Sequence, residues 1–136
     1  MNNPKKIVFL TGTRADFGKI KSLIDILQTD VQFEVFLFVT GMHLMDEYGY
    51  TLIEIERCGY PNVHTFYNYS DEATMDVTLA NTINGFSNYV REISPDMIVI
   101  HGDRLEALAA SIVGSMNNYL VAHIEESFFM GRKQIR

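Results

Sequence analysis

A single cysteine, Cys58, stands in a chain with no tryptophan and only three prolines. One thiol cannot close an intrachain disulfide, and no Cys/His spacing matches a zinc site, so neither device is expected to hold the fold. A reducing compartment, the cytoplasm, is the expected location. Long hydrophobic runs are missing as well: the apolar stretch Ile7-Val8-Phe9-Leu10 gives way at once to polar Thr11 and to Gly12. That is too short for a signal h-region or a membrane span, so neither secretion nor a membrane anchor is expected. Positive charge is also scarce, with 11 Lys and Arg against 17 Asp and Glu and a formal net charge of −6. Such a balance argues against a nucleic-acid partner, and the local basic clusters (Lys5 and Lys6; Arg132, Lys133 and Arg136) read as solvated ends.

What is present is a core. In 136 residues, 47% are hydrophobic and the mean hydropathy is +0.01, which suits one soluble globular domain. The strand at residues 7–10 runs into Thr11-Gly12-Thr13-Arg14-Ala15-Asp16-Phe17-Gly18-Lys19 and then into helical periodicity. A buried strand, a glycine turn and a helix start bring backbone N–H groups and the positive end of a helix to one point, an arrangement that favours an anion such as phosphate. Arg14 and Lys19 add cations there. The alternative is structural: Gly12 closes the strand, and Gly18 lets the helix lie close to a sheet.

Downstream, the periods alternate. Ile20, Leu23, Ile24 and Leu27 form a helical stripe, and residues 33–39 are continuously apolar, aromatic and β-branched, as in a strand covered on both faces. A helix over 44–57 interrupted by Gly49, a short strand at 63–66 and a loop at 67–74 follow. A helix then carries Met75, Leu79, Ile83, Phe86, Val90 and Ile93 as core up to Ser94-Pro95. Residues 97–100 form a fourth strand, 105–116 an alanine-rich helix and 119–124 a fifth strand. This alternation predicts an α/β Rossmann-like, doubly wound parallel sheet of about five strands in the order 3-2-1-4-5.

In such sheets ligands sit at the carboxyl ends of the strands near the switch point, here between strands one and four. The candidates are therefore Arg14, Asp16 and Lys19 after strand one, His43 after strand two, His101 and Asp103 after strand four, and Glu125 after strand five. Taken singly, each has a structural use: Asp103 as a helix N-cap, the histidines as packed or hydrogen-bonded groups, and Glu125 with Glu126 as ordinary strand-end acids.

Four blocks occurring in order carry more than their parts: Gly12-Thr13-Arg14-Ala15-Asp16-Phe17-Gly18-Lys19-Ile20, Thr40-Gly41-Met42-His43-Leu44, His101-Gly102-Asp103-Arg104-Leu105-Glu106-Ala107 and His123-Ile124-Glu125. Over roughly residues 5 to 125 the chain resembles the N-terminal half of UDP-N-acetylglucosamine 2-epimerases. The Arg-Ala-Asp-Phe-Gly and His-Gly-Asp-Arg forms are similar to the hydrolysing branch that feeds sialic, polysialic or legionaminic acid synthesis. The resemblance implies the first half of a glycosyltransferase-B-type fold, with a UDP-sugar bound between two Rossmann-like domains. It also implies an elimination to a 2-acetamidoglucal followed by addition of water, with no nicotinamide and no metal. Asp103 and Glu125 are the implied catalytic acids, Arg14 and Lys19 the implied substrate-binding cations, and His43 an implied cleft-lining residue.

After His123-Ile124-Glu125 the family continues with Gly-Gly-Glu, whereas this sequence reads Glu126-Ser127-Phe128-Phe129 and diverges to Arg136. The expectation is a domain over 1–125 and a divergent tail over 126–136 from truncation or a frameshift. No turnover is expected from this chain alone. Phe128, Phe129 and an uncovered sheet edge would then favour a homodimer, unless a separately encoded C-terminal half complements the chain. The alternative function is a non-catalytic module that binds a nucleotide or sugar phosphate or self-associates.

Overall fold

The computed structural model describes residues 3–45, 51–70 and 72–124. Five strands, β1 (Lys5–Thr11), β2 (Phe33–Val39), β3 (Val63–Thr65), β4 (Met97–His101) and β5 (Leu120–Ile124), form one sheet in the order β3-β2-β1-β4-β5. Every pairing is parallel. The helices α1 (Arg14–Gln28), α2 (Leu52–Glu56), α3 (Met75–Ile93) and α4 (Leu105–Met116) make the connections. The fold class and strand order expected from the sequence are those observed.

Strand β1 is central because both its faces are apolar. Ile7 and Phe9 point into a cluster with Phe17, Ile20 and Ile24 of α1 and Leu52 and Ile55 of α2. Val8 and Leu10 point the other way, onto Phe86 and Val90 of α3 and Ala110 and Val113 of α4. The period-2 alternation of a strand thus feeds two cores from one apolar run. Helix α1 starts where it does because Thr13 and Asp16 form a capping box: the Thr13 hydroxyl accepts from the Asp16 amide at 3.1 Å, and the Asp16 carboxylate accepts from the Thr13 amide at 3.2 Å.

Some local expectations change. Residues 41–44 form a 3-10 turn and α2 covers only Leu52–Glu56, in place of one helix over 44–57; residues 46–50 lie outside the described residues. Gly18 lies on the exposed side of α1 with nothing near its Cβ position, so it gives no close approach to the sheet. In α3, Met75 is exposed, and Thr78, Thr82 and Tyr89 are buried beside Phe86 and Val90. The first half of this helix overlies the polar carboxyl edge of the sheet, where Thr82 Oγ1 accepts from the Asn68 side chain at 2.9 Å. Hydroxyls replace the apolar stripe there because they have polar neighbours to satisfy. Phe128 and Phe129 lie outside the described residues. Among the described residues, no helix is long and apolar enough to cross a membrane.

The second core is aromatic. The ring of Phe38 is fully buried, with ring centres of Phe86, Tyr89, His64 and Phe66 at 5.0, 5.1, 5.5 and 5.7 Å. Phe38→Ala is therefore expected to lower unfolding free energy by about 3–5 kcal/mol in urea titrations. Ile26→Ala, at an exposed position, is expected to stay within about 0.5 kcal/mol of the parent. A loss at Phe38 no larger than that at Ile26 would contradict this packing.

Candidate active site

The carboxyl ends of β1, β2 and β4 converge on one edge of the sheet, and the turns that leave them hold most of the expected residues. At the end of β1, the Asp16 carboxylate folds back over its own turn. It accepts from the amides of Gly12 and Thr13, both at 3.2 Å, and from the Thr11 hydroxyl. Burial raises the Asp16 pKa above its ordinary value, against the opposing pull of these hydrogen bonds. The strand-turn-helix junction that suits an anion therefore already holds one, supplied by the chain. An external anion at this turn would meet Arg14 and Lys19 rather than the Gly12 and Thr13 amides.

Arg14 is exposed and pairs through Nε with Glu54 of α2 at 3.1 Å. Lys19 is exposed one helical turn further on. His43, expected to line the cleft, is instead fully buried beneath it. Its Nε2 lies 2.9 Å from Thr11 Oγ1 and its Nδ1 lies 2.8 Å from Thr51 Oγ1. The Thr11 hydroxyl has one proton, which it donates to Asp16. With that proton on Asp16, Nε2 is the nitrogen placed to donate to Thr11, and Nδ1 is placed to accept from Thr51. Neutral His43 thus orients Thr11, which orients Asp16, which closes the turn carrying Arg14.

At the end of β4, Gly102 has φ +87° and turns the chain out of the strand. His123 of β5 holds this turn, its Nε2 lying 2.6 Å from the Gly102 carbonyl oxygen. Asp103 is exposed, and among the described residues no hydrogen bond or ion pair engages it. It is not the N-cap of α4: that position is Arg104, without a side-chain cap. The partly buried His101 presents an enclosed Nδ1 with no partner among the described residues. Glu125 lies outside the described residues.

Two residues outside the expected set lie at the centre. Glu106, in the first turn of α4, is buried between the turns after β1 and β2. Its Oε2 accepts from Asn68 Nδ2 at 3.1 Å, and Asn68 Oδ1 accepts from the Gly41 amide at 3.2 Å. A Cβ at Gly41 would lie 2.8 Å from Glu106 Oε2, and one at Gly12 would lie 3.1 Å from Glu106 Cγ. The glycines are thus the slot that the carboxylate fills. Glu106 was legible in outline, because counting back from Val113 through Ala110 along the buried face of α4 arrives at position 106. Asn68 gave no such signal in its polar loop. Beside them opens a cavity of about 310 Å³, whose lining includes Gly41, Met42, Asn68, Tyr69, Arg104 and Glu106.

The buried imidazole makes stability depend on pH. Burial pushes His43 down to about 4 from an ordinary 6.5. Between those values the unfolded chain binds a proton that the folded chain does not, so stability rises with pH across that window and is lost as pH falls through it. The full contribution is on the order of 3 kcal/mol at 1.36 kcal/mol per unit. Asp16, raised rather than lowered, works in the opposite sense just above its ordinary value. The comparison that isolates His43 is therefore the difference between the parent and His43→Gln, followed by urea unfolding from pH 4 to 7. The gap is expected to shrink as pH falls, and a gap independent of pH would contradict the neutral, buried imidazole.

Comparison with known proteins accounts for the blocks that build this edge. The family described as UDP-N-acetylglucosamine 2-epimerase matches residues 25–126. A UDP-N-acetylglucosamine 2-epimerase of Neisseria meningitidis serogroup B is 47% identical over 121 residues, covering 89% of this chain and 32% of that protein. A UDP-N,N'-diacetylbacillosamine 2-epimerase (hydrolyzing) of Legionella pneumophila is 32% identical over 125 residues, covering 88% of this chain and 33% of that protein. A crystal structure of a Neisseria meningitidis UDP-GlcNAc 2-epimerase bound to UDP-GlcNAc superposes with a TM-score of 0.75 at 19% identity, over 88% of this chain and 31% of that one. The chain thus spans about a third of the length of these curated relatives. The match over residues 25–126 takes in the turns that carry His43, Asp103 and Glu106, and the chain belongs to the UDP-N-acetylglucosamine 2-epimerase family.

Proposed function

We propose that this chain forms the N-terminal side of a cleft in which a UDP-N-acetylhexosamine, UDP-N-acetylglucosamine in the first instance, is epimerised at C2 and hydrolysed. The observation that carries the reading is Asp103, an acid left without a partner among the described residues at the switch edge of the sheet. Acids that serve structure on this edge, the partly buried Asp16 and the buried Glu106, are hydrogen-bonded within the fold; Asp103 is exposed and is not. The hydrolysing branch is supported by the Legionella relative and by a 29% identical Escherichia coli polysialic acid biosynthesis protein P7. We also propose 1–125 as the domain and 126–136 as a divergent tail; the family match over residues 25–126 falls within that domain but for its last residue.

The chemistry assigns roles by residue type. A carboxylate removes the C2 proton; the C2–H electron pair forms the C1–C2 double bond as the C1–O bond breaks, and UDP departs with the C1–O pair on its oxygen. Water then adds to the 2-acetamidoglucal, its hydroxyl to C1 and a proton to C2 from the opposite face, giving N-acetylmannosamine. Asp103 and Glu125 serve as the acids that exchange protons with C2 and water. Arg14 and Lys19 balance charge on the departing diphosphate. Arg14 can leave Glu54 readily, since an exposed pair of this kind is worth only about 0–1 kcal/mol. His43 acts from beneath, through Thr11 and Asp16. Neither a nicotinamide nor a metal is needed for these steps, and a nucleotide sugar as substrate fits a cytoplasmic enzyme.

The 136-residue chain by itself is expected to show no turnover, because one wall of a cleft cannot exclude water from the reacting atoms. Mixed with a separately expressed C-terminal domain of a hydrolysing relative, it is expected to release UDP from UDP-N-acetylglucosamine. Asp103→Asn in that mixture should lower the rate by roughly 10²–10⁴-fold with substrate binding retained. Binding without turnover in the mixture would instead favour a non-catalytic nucleotide-sugar module, and turnover unaffected by Asp103→Asn would remove Asp103 from the mechanism.

A further inference from the structure

We infer that Glu106 is a positioning residue that holds the turns of the candidate site in register, a role that rests on reading this edge as the site. Its carboxylate meets three segments at once. It fills the space left by Gly12 after β1 and Gly41 after β2, and it accepts from Asn68 in the loop after β3. Asn68 in turn binds the Gly41 amide at 3.2 Å and Thr82 of α3 at 2.9 Å. The Met42 amide donates to the Gly12 carbonyl at 2.7 Å, which closes the ring of turns. Glu106 itself lies three residues after Asp103, in the first turn of α4. The turn that bears Arg14, the turn that bears His43 and the turn that bears Asp103 therefore share one buried carboxylate.

That carboxylate is only half engaged. Its Oε1 is buried with no hydrogen-bond partner among the described residues, and Arg104 Nε lies 4.0 Å away. An acid retained at a buried position with one oxygen unmatched among the described residues is costly, and a side chain needed only for packing would be served better by an apolar group of the same shape. What an apolar group cannot supply is an acceptor for Asn68, and through it the fixed position of the Gly41 amide. The two glycines leave the room it fills: a Cβ at Gly41 would lie 2.8 Å from its Oε2, and one at Gly12 3.1 Å from its Cγ.

The test is amide hydrogen exchange on the full chain, read residue by residue, for the parent, Glu106→Ala and Glu106→Gln. Glu106→Ala is expected to speed exchange at Gly41 and Met42 by roughly tenfold or more, the effect of losing one buried hydrogen bond, with Val8 and Phe9 in β1 unchanged. Glu106→Gln, which keeps an acceptor for Asn68, should restore slow exchange at Gly41. If Glu106→Ala does not fold, Asn68→Ala breaks the same link without emptying the slot and should give the same local acceleration. In the reconstituted mixture with the C-terminal domain, Glu106→Ala is expected to lower kcat at least tenfold, with Glu106→Gln recovering most of it. Unchanged exchange at Gly41, acceleration spread equally through β1, or no rescue by Gln would overturn the inference. Should the parent mixture show no turnover, the proposed function fails while the exchange measurements still decide the role of Glu106.

Discussion

Strand β1 pairs in parallel with β2 on one side and β4 on the other, and the rest of the molecule follows from that double pairing. A strand so placed has no free edge and no solvent face, so residues 7–10 must all be apolar and must feed two cores. Parallel neighbours also require crossovers, which places helices on both faces and aligns the carboxyl ends of the strands on one edge. Where the crossovers to β2 and β4 leave in opposite directions, a gap opens above β1. Among the described residues, Asp16, His43, Asp103 and Glu106 lie around that gap.

The gap is expensive to leave unfilled, and the chain fills it with its own acids. Asp16 takes the amides of the first turn, with His43 and Thr11 aligned behind it, and Glu106 occupies the slot between Gly12 and Gly41. Glu106 is buried and Asp16 partly so; among the described residues Asp16 accepts three hydrogen bonds within the fold, and Glu106 accepts one, from Asn68. Asp103 stands one turn away under the opposite condition, exposed and without a partner among the described residues. Proximity on the sheet edge alone does not separate these carboxylates. Hydrogen-bond satisfaction does, because a carboxylate already paired with backbone amides has little capacity left for a substrate proton.

Much of this was legible in the residues. Continuous apolar strands, helical stripes and the short turns between them led to the sheet order, and the bounds of α3 and α4 agree with the periodicity residue for residue. The positions of Arg14, Lys19 and Asp103 at strand ends follow from the same pattern. His43 was misplaced because sequence position locates a residue after a strand without saying whether its ring turns toward solvent or under the sheet. Two threonines far apart in the chain, Thr11 and Thr51, settle that. Thr78 and Thr82 were missed for a related reason: hydropathy assigns a buried face to apolar residues, and here the buried face meets a polar network.

The sequence by itself determined the class of fold, the order of its strands and the edge on which polar residues gather, because these depend on periodicity and chain connectivity, which are local. Only the tertiary structure decided which of those residues are spent on the scaffold. The contacts of Glu106 with Asn68 and of His43 with Thr11 join residues more than thirty apart, and a hydrogen bond depends on the distance between its atoms in space, which no local pattern records.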